Sequence, residues 1–236
     1  MQVSQIFLTD NGGNDVPETL LSLNETVRAG FPNMPYKRYN NEELRAFIVD
    51  HFDADVVVAF DRLRSYSNKA DLGRYCLLFA NGGWYFDMGI RLHTPVELGD
   101  RIEMLAFREI QRFTGTCWAC MTAVIFSKPG NPALRYAIDQ IVKNCQDEYY
   151  GITPLSPTAT PVLGQALAKH GEQANFVYGD FLQLTPIHQK QNTAFVLPDG
   201  TILAWGKTAG GGDLSSLGAK GVNNYNDLWH QRAIYQ

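Results

Sequence analysis

The chain has 236 residues, 45% of them apolar and 19% charged, with 13 Phe, 11 Tyr and 4 Trp. That composition supplies a core and excludes a disordered or fibrous chain. Twenty basic against 24 acidic residues give a formal net charge of −4 with no basic cluster to offset it, so neither nucleic acid nor an anionic membrane is an expected partner.

In chain order the apolar periods and breakers follow an α/β pattern. Val3 to Leu8 reads as an opening strand, and the polar loop Asp10 to Asp15 follows it. Pro17 to Ala29 and Asn41 to Phe52 have helical spacing, the second with Leu44, Phe47 and Ile48 on one face and Asn40 or Asn41 as its cap. The unbroken apolar run Val56 to Phe60 predicts a strand covered on both faces. Asn68 is expected to cap a helix whose stripe is Leu72, Tyr75, Cys76 and Phe79, and Gly82-Gly83 ends it. Trp84 to Leu92 then reads as a strand that Asp87 interrupts, and Met121 to Phe126 as an apolar strand. Asn131-Pro132 opens a helix to about Gln146 and Thr160-Pro161 another that ends at Gly171, each read as a cap followed by proline at the first helical position. Ala194 to Leu197 and Thr201 to Trp205 flank the turn Pro198-Asp199-Gly200 as a hairpin, and the glycine-rich stretch from Lys207 to Gly221 reads as a mobile loop.

No stretch approaches the roughly 18 apolar residues of a membrane span, and the N-terminus has no basic-then-apolar leader. The four cysteines are too scattered for a disulfide framework. A cytoplasmic protein with no transmembrane segment is the expectation. Cys117-Trp118-Ala119-Cys120 precedes a strand rather than a helix and has no second pair, so structural buried cysteines are expected there instead of a redox or zinc site.

The residues that carry chemistry are Lys69-Ala70-Asp71-Leu72-Gly73-Arg74-Tyr75 and Gly82-Gly83-Trp84-Tyr85-Phe86-Asp87-Met88-Gly89. An acid and a base three apart on one helix precede a diglycine turn and a strand-borne carboxylate. Asp87 in an apolar strand needs a partner if it is buried. The spacing resembles glycosyltransferase family 32 and its relatives among the bacterial glucosylating toxins, whose pattern is a Ser/Ala-Asp-x-x-Arg-Tyr helix followed by Gly-Gly-x-Tyr-x-Asp-x-Asp, the DXD motif. The match runs through the first carboxylate of that motif, and Gly89 stands in the place of the second. Asn224-Tyr225-Asn226-Asp227-Leu228-Trp229 is similar to the family's C-terminal metal and phosphate segment, and the family resemblance extends more loosely to the opening strand and to Ser156-Pro157-Thr158 ahead of the helix at Thr160.

The resemblance implies a single α/β domain over 1–236, a Rossmann-like glycosyltransferase A fold with a central mixed sheet. The nucleotide sugar would bind mainly over 1–95, with the acceptor side and a C-terminal lid in 96–236. It implies retaining transfer of a sugar from a nucleoside diphosphate donor, UDP preferred and GDP open, to a glycan or other hydroxyl acceptor. Asp87 and Arg74 would be catalytic; Asp71, Arg74, Asp87, Trp229 and Lys220 would bind donor; Asp87, Asp227 and Asn224 would hold Mn²⁺ or Mg²⁺. Carboxylates suit such hard ions, and cations receive the charge that develops on the leaving group. Alanine at Arg74 or Asp87 is expected to spare the fold. Because Gly89 offers no side-chain ligand, a sugar-nucleotide or glycan-binding protein without catalysis is the second hypothesis.

Overall fold

The computed structural model describes residues 1–171, 175–185, 192–206 and 224–236. Its strands, β1 (Gln2–Ile6), β2 (Tyr36–Tyr39), β3 (Gly83–Phe86), β4 (Arg91–Leu92), β5 (Met104–Arg108), β6 (Cys120–Ser127), β7 (Phe176–Gln183), β8 (Thr193–Val196) and β9 (Ile202–Trp205), form one sheet in the order β2-β1-β3-β6-β5-β7-β8-β9-β4. β1 is parallel to β2 and β3, and β5 is parallel to β7. The β3–β6, β5–β6, β7–β8, β8–β9 and β4–β9 pairs are antiparallel. This is the central mixed sheet of a single α/β domain expected from the sequence.

The helices are α1 (Glu18–Gly30), α2 (Asn41–His51), α3 (Ala54–Arg62), α4 (Tyr66–Asn81), α5 (Gln111–Thr114), α6 (Pro132–Gln146), α7 (Thr160–His170) and α8 (Tyr225–His230). Residues from α2, α3, α4, α6 and α7 share one buried cluster with Ile6, Tyr85 and Ile125, while Val27 and Phe31 join Val3, Trp84, Phe86 and Phe126 in another. The alternation of a strand therefore sends Tyr85 toward α4 and its neighbours Trp84 and Phe86 to the opposite side.

Four readings need correction. Val56 to Phe60 is not a strand but lies in α3: the Asp53 side chain accepts the Val56 N–H at 3.2 Å, and Val56, Ala59, Phe60 and Leu63 are buried at helical spacing. The helix expected from Asn68 starts one turn earlier, because Ser65 caps it and accepts the Asn68 N–H at 3.2 Å. The strand expected from Trp84 to Leu92 stops at Phe86, where Asp87 to Ile90 turns with an Ile90 N–H to Asp87 O bond of 3.1 Å. The α7 cap position is Ala159 rather than Thr160 and makes no side-chain capping bond. β2, β5 and β7 were not assigned from the sequence. The glycine-rich stretch lies outside the described residues.

The diglycine turn has a steric cause. Gly82 and Gly83 adopt φ of +62° and +102°, and a Cβ on Gly83 would collide with the Gln2 carbonyl oxygen of β1. The turn brings the end of α4 directly into the sheet beside β1. β3 starts there, and its far end carries Asp87.

Candidate active site

Asp71 and Arg74 lie on consecutive turns of α4, both buried, with Arg74 Nη2 3.2 Å from Asp71 Oδ1. Arg74 Nη1 is 3.3 Å from Asp87 Oδ1 and also donates to the Thr122 carbonyl of β6 at 2.7 Å; Nε donates to the Ala70 carbonyl at 3.1 Å. The guanidinium lies over the Tyr85 ring, 4.7 Å from its centroid, and the Tyr85 hydroxyl donates to Asp87 Oδ1 at 2.8 Å. On the other side the Thr158 hydroxyl donates to Asp71 Oδ2 at 2.7 Å and accepts from Asn68 Nδ2 at 2.7 Å. The Arg74 guanidinium thus joins α4, β3 and β6, and Asp71 extends the cluster to Thr158.

The two charges respond to burial in opposite senses. For Asp71, dehydration outweighs Arg74 and the Thr158 hydroxyl and pushes its carboxyl up to about 6, with Asp87 adding to the rise. For Arg74, burial opposes the charge, yet Asp87, Tyr85 and Asp71 together raise its already high value, so it stays cationic. Burial, against the pull of Arg74, also keeps the Tyr85 hydroxyl protonated and able to donate. Burial bears on the alanine expectation for Arg74: removing this cation strips buried Asp71 of its counter-charge, so a cost in stability is expected there. Asp87 differs, because its side chain is 39% exposed and both of its partners meet Oδ1.

The sheet brings Asp71, Arg74 and Asp87 together, as the sequence reading requires. Among the described residues no hydrogen bond or ion pair joins Asn224, Asp227 or Trp229 to these three. Asn224 caps α8, its Oδ1 accepting the Asn226 N–H at 2.9 Å. Asp227 is exposed, and no ion pair or hydrogen bond joins it to Asp87 among the described residues. Trp229 Nε1 donates to the Tyr150 carbonyl at 2.8 Å, and Arg232 covers the Trp229 ring. Lys220 lies outside the described residues, as does Lys207. Among the cysteines of the Cys117–Cys120 pair only Cys120 is buried, since Cys117 is exposed.

Three residues escaped the sequence reading. Thr122 contributes a carbonyl, which no side-chain pattern reveals. Tyr225 on α8 is half-buried, and its hydroxyl is raised first by burial and then by Asp71 and Glu109, despite an Asn226 hydrogen bond. Glu109 follows β5, takes the Ile110 N–H on Oε1 at 2.7 Å, and is pushed by burial up to about 7. Its position just past the end of a buried strand was the available signal.

Gly89 is buried within the turn that follows Asp87, and no group of three or more His, Cys, Asp or Glu suited to a metal exists among the described residues. Asp87 alone presents a half-open carboxylate. That donor set fits a hard divalent ion shared with a ligand's phosphates and water, and does not fit a site closed by protein alone.

No protein-family model matches the chain. A curated relative, an uncharacterised glycosyltransferase of Acanthamoeba polyphaga mimivirus, is 26% identical over 137 residues, 57% of this chain and 52% of that protein. The chain therefore spans about half the length of the curated relative it matches. The solved PaToxG glycosyltransferase aligns with a TM-score of 0.56 and 15% identity over 71% of this chain and 68% of its own, which shows a shared fold. A glycosyltransferase involved in glycosylating the major capsid of PBCV-1 aligns with a TM-score of 0.37 and 10% identity, over 76% of this chain and 82% of its own.

Proposed function

We propose that the chain is a glycosyltransferase that moves a sugar from a nucleoside diphosphate donor, a UDP-sugar, to a hydroxyl acceptor with retention at the anomeric carbon. The observation that carries this reading is the Asp71–Arg74–Asp87 cluster: two carboxylates fixed by one buried guanidinium, with only Asp87 open to solvent. The fold shared with PaToxG and the name of the mimivirus relative support it. In the reaction the acceptor oxygen bonds to the anomeric carbon as the bond from that carbon to the diphosphate oxygen breaks. The departing diphosphate keeps the electron pair and takes up the acceptor's proton.

Fixed polar groups aimed at a developing charge need no rearrangement at the moment of reaction. Asp87 meets the donor's sugar and ribose hydroxyls, and the buried Arg74, itself held by Asp71, acts through Asp87 by fixing its carboxylate. Residues 1–95 carry most of the donor site, while 96–236 supply the acceptor side and a C-terminal lid with Trp229 and Lys220 against the diphosphate. Mn²⁺ or Mg²⁺ would offset the charge of that leaving group, and we assign its protein ligands to Asp87, Asp227 and Asn224.

Thermal shift tests the reading. A UDP-sugar with Mn²⁺ at 100 times its dissociation constant stabilises the fold by about 2.7 kcal/mol, and ATP or NAD does so less. Equal responses to all of these ligands, or none to UDP- and GDP-sugars, contradict the reading. A UDP-sugar that binds but is never hydrolysed or transferred favours the binding protein without catalysis, which the glycine at position 89 also motivates.

A further inference from the structure

A cavity of about 360 Å³ opens between the 114–118 loop, the C-terminal half of α6, the loop after it and the start of α7. Its lining includes Trp118, Tyr149, Ile152, Gln140, Ser156 and Gln165. Trp118, Tyr149 and Ile152 are 45%, 47% and 75% exposed, a concentration of apolar surface in one depression. The Trp118 backbone is firmly seated: a Cβ on Gly164 of α7 would collide with the Trp118 carbonyl oxygen, and the next residue, Ala119, accepts the Glu109 N–H at 2.9 Å. Nothing bulkier than glycine lets α7 come so close, so the indole projects from a fixed base.

The polar lining selects among ligands. Gln140 Nε2 donates to Asn144 Oδ1 at 2.9 Å and Asn144 Nδ2 to the Pro157 carbonyl at 2.8 Å, which orders these carboxamides. Gln140 Oε1 and the Gln165 carboxamide have no protein partner among the described residues. The charged lining residues, Lys143 and Asp147, pair with each other at 2.5 Å. With its charges cancelled, the pocket gives no advantage to a phosphate. A ring with one apolar face for the indole and hydroxyls for the carboxamides is complementary to it, in a volume ordinary for ligand sites.

Two short stretches of chain connect this pocket to the ion cluster. Ser156 on its wall is two residues from Thr158, which holds Asp71, and Trp118 is four residues before Thr122, which holds Arg74. At about 3.3–3.6 Å per residue the first link spans at most about 7 Å and the second about 14 Å. We infer that this pocket is the acceptor site and that the acceptor is a neutral saccharide, its ring stacked on Trp118 and its hydroxyls bonded to Gln140 and Gln165. The inference rests on the transferase reading above.

Saturation-transfer NMR on the full chain with maltotriose, chitotriose and mannotriose tests it, beside the UDP-sugar thermal shift. At least one trisaccharide binds the wild type. Trp118→Ala weakens it at least about tenfold and Gln165→Ala by a smaller factor, while the UDP-sugar melting shift is the same in all three proteins. Gln165 is exposed, so that variant keeps the test alive even if Trp118→Ala fails to fold. UDP-sugar binding with no trisaccharide bound, or trisaccharide binding unchanged in both variants, overturns the pocket assignment. Trisaccharide binding lost in Trp118→Ala, with no response to UDP- or GDP-sugars, instead strikes the transferase reading and leaves a saccharide site.

Discussion

Asp71 and Arg74 are buried on the 16-residue α4 and tied to β3, β6 and the 156–158 segment, whereas Asn224, Asp227 and Trp229 ride on the six-residue α8, in which no residue is buried. The first region cannot shift one side chain without exposing or orphaning another charge. The second carries no buried charge and is held by the packing of Leu228 and Trp229 against the core and by bonds such as Trp229 Nε1 to the Tyr150 carbonyl. Catalytic preorganisation demands the first kind of construction, and closure over a ligand demands the second.

The sharpest way to break this comparison is Arg74→Ala, which leaves Asp71 buried with no counter-charge, its carboxyl pushed further up, and the Thr122 and Ala70 carbonyls without their donor. We expect a loss of about 3–5 kcal/mol in denaturant unfolding, and a near-neutral result would mean the cluster is not structural. Glu109→Gln follows. The Glu109 carboxyl, raised from 4.5 to about 7, binds a proton in the folded state that the unfolded chain has already released, so its burial destabilises progressively as pH rises from about 4.5 to 7. The amide keeps the bond from Ile110 and removes that penalty. Glu109→Gln therefore gains on the order of 2–3 kcal/mol over wild type at pH 8 and little at pH 4.5, as melting temperatures across that range will report.

Thr158→Val removes the hydroxyl between Asn68 and Asp71, and unfolding measurements are expected to register a loss of about 2 kcal/mol. Trp229→Phe deletes the N–H to Tyr150 together with part of the ring that packs on the core and lies under Arg232, for which about 1–2 kcal/mol is expected. A loss at Trp229 equal to that at Arg74 would erase the distinction between the two regions.

The legibility of the sequence follows the same divide. Asp71, Arg74 and Asp87 could be found because an acid and a base at helix spacing, a diglycine turn and a carboxylate interrupting an apolar run form one local pattern, the one on which the resemblance to the glycosyltransferases rests. Thr122 could not, since its contribution is a carbonyl set by strand pairing. Val56 to Phe60 misled because five apolar residues in a row satisfy a buried strand and a helix face alike. The deciding signal was Asp53, whose side chain caps the helix. The partner of Asn68 was equally hidden: only the fold brings Thr158, 90 residues away, to its side chain.

The central claim is that Asp87 is the open, reacting edge of an otherwise buried cluster. Hydrolysis of a UDP-sugar in the presence of Mn²⁺, measured for wild type and Asp87→Asn at matched melting temperature, tests it most directly. The account predicts measurable hydrolysis by the wild type and its loss in a variant that remains folded. Undiminished hydrolysis by Asp87→Asn would contradict it.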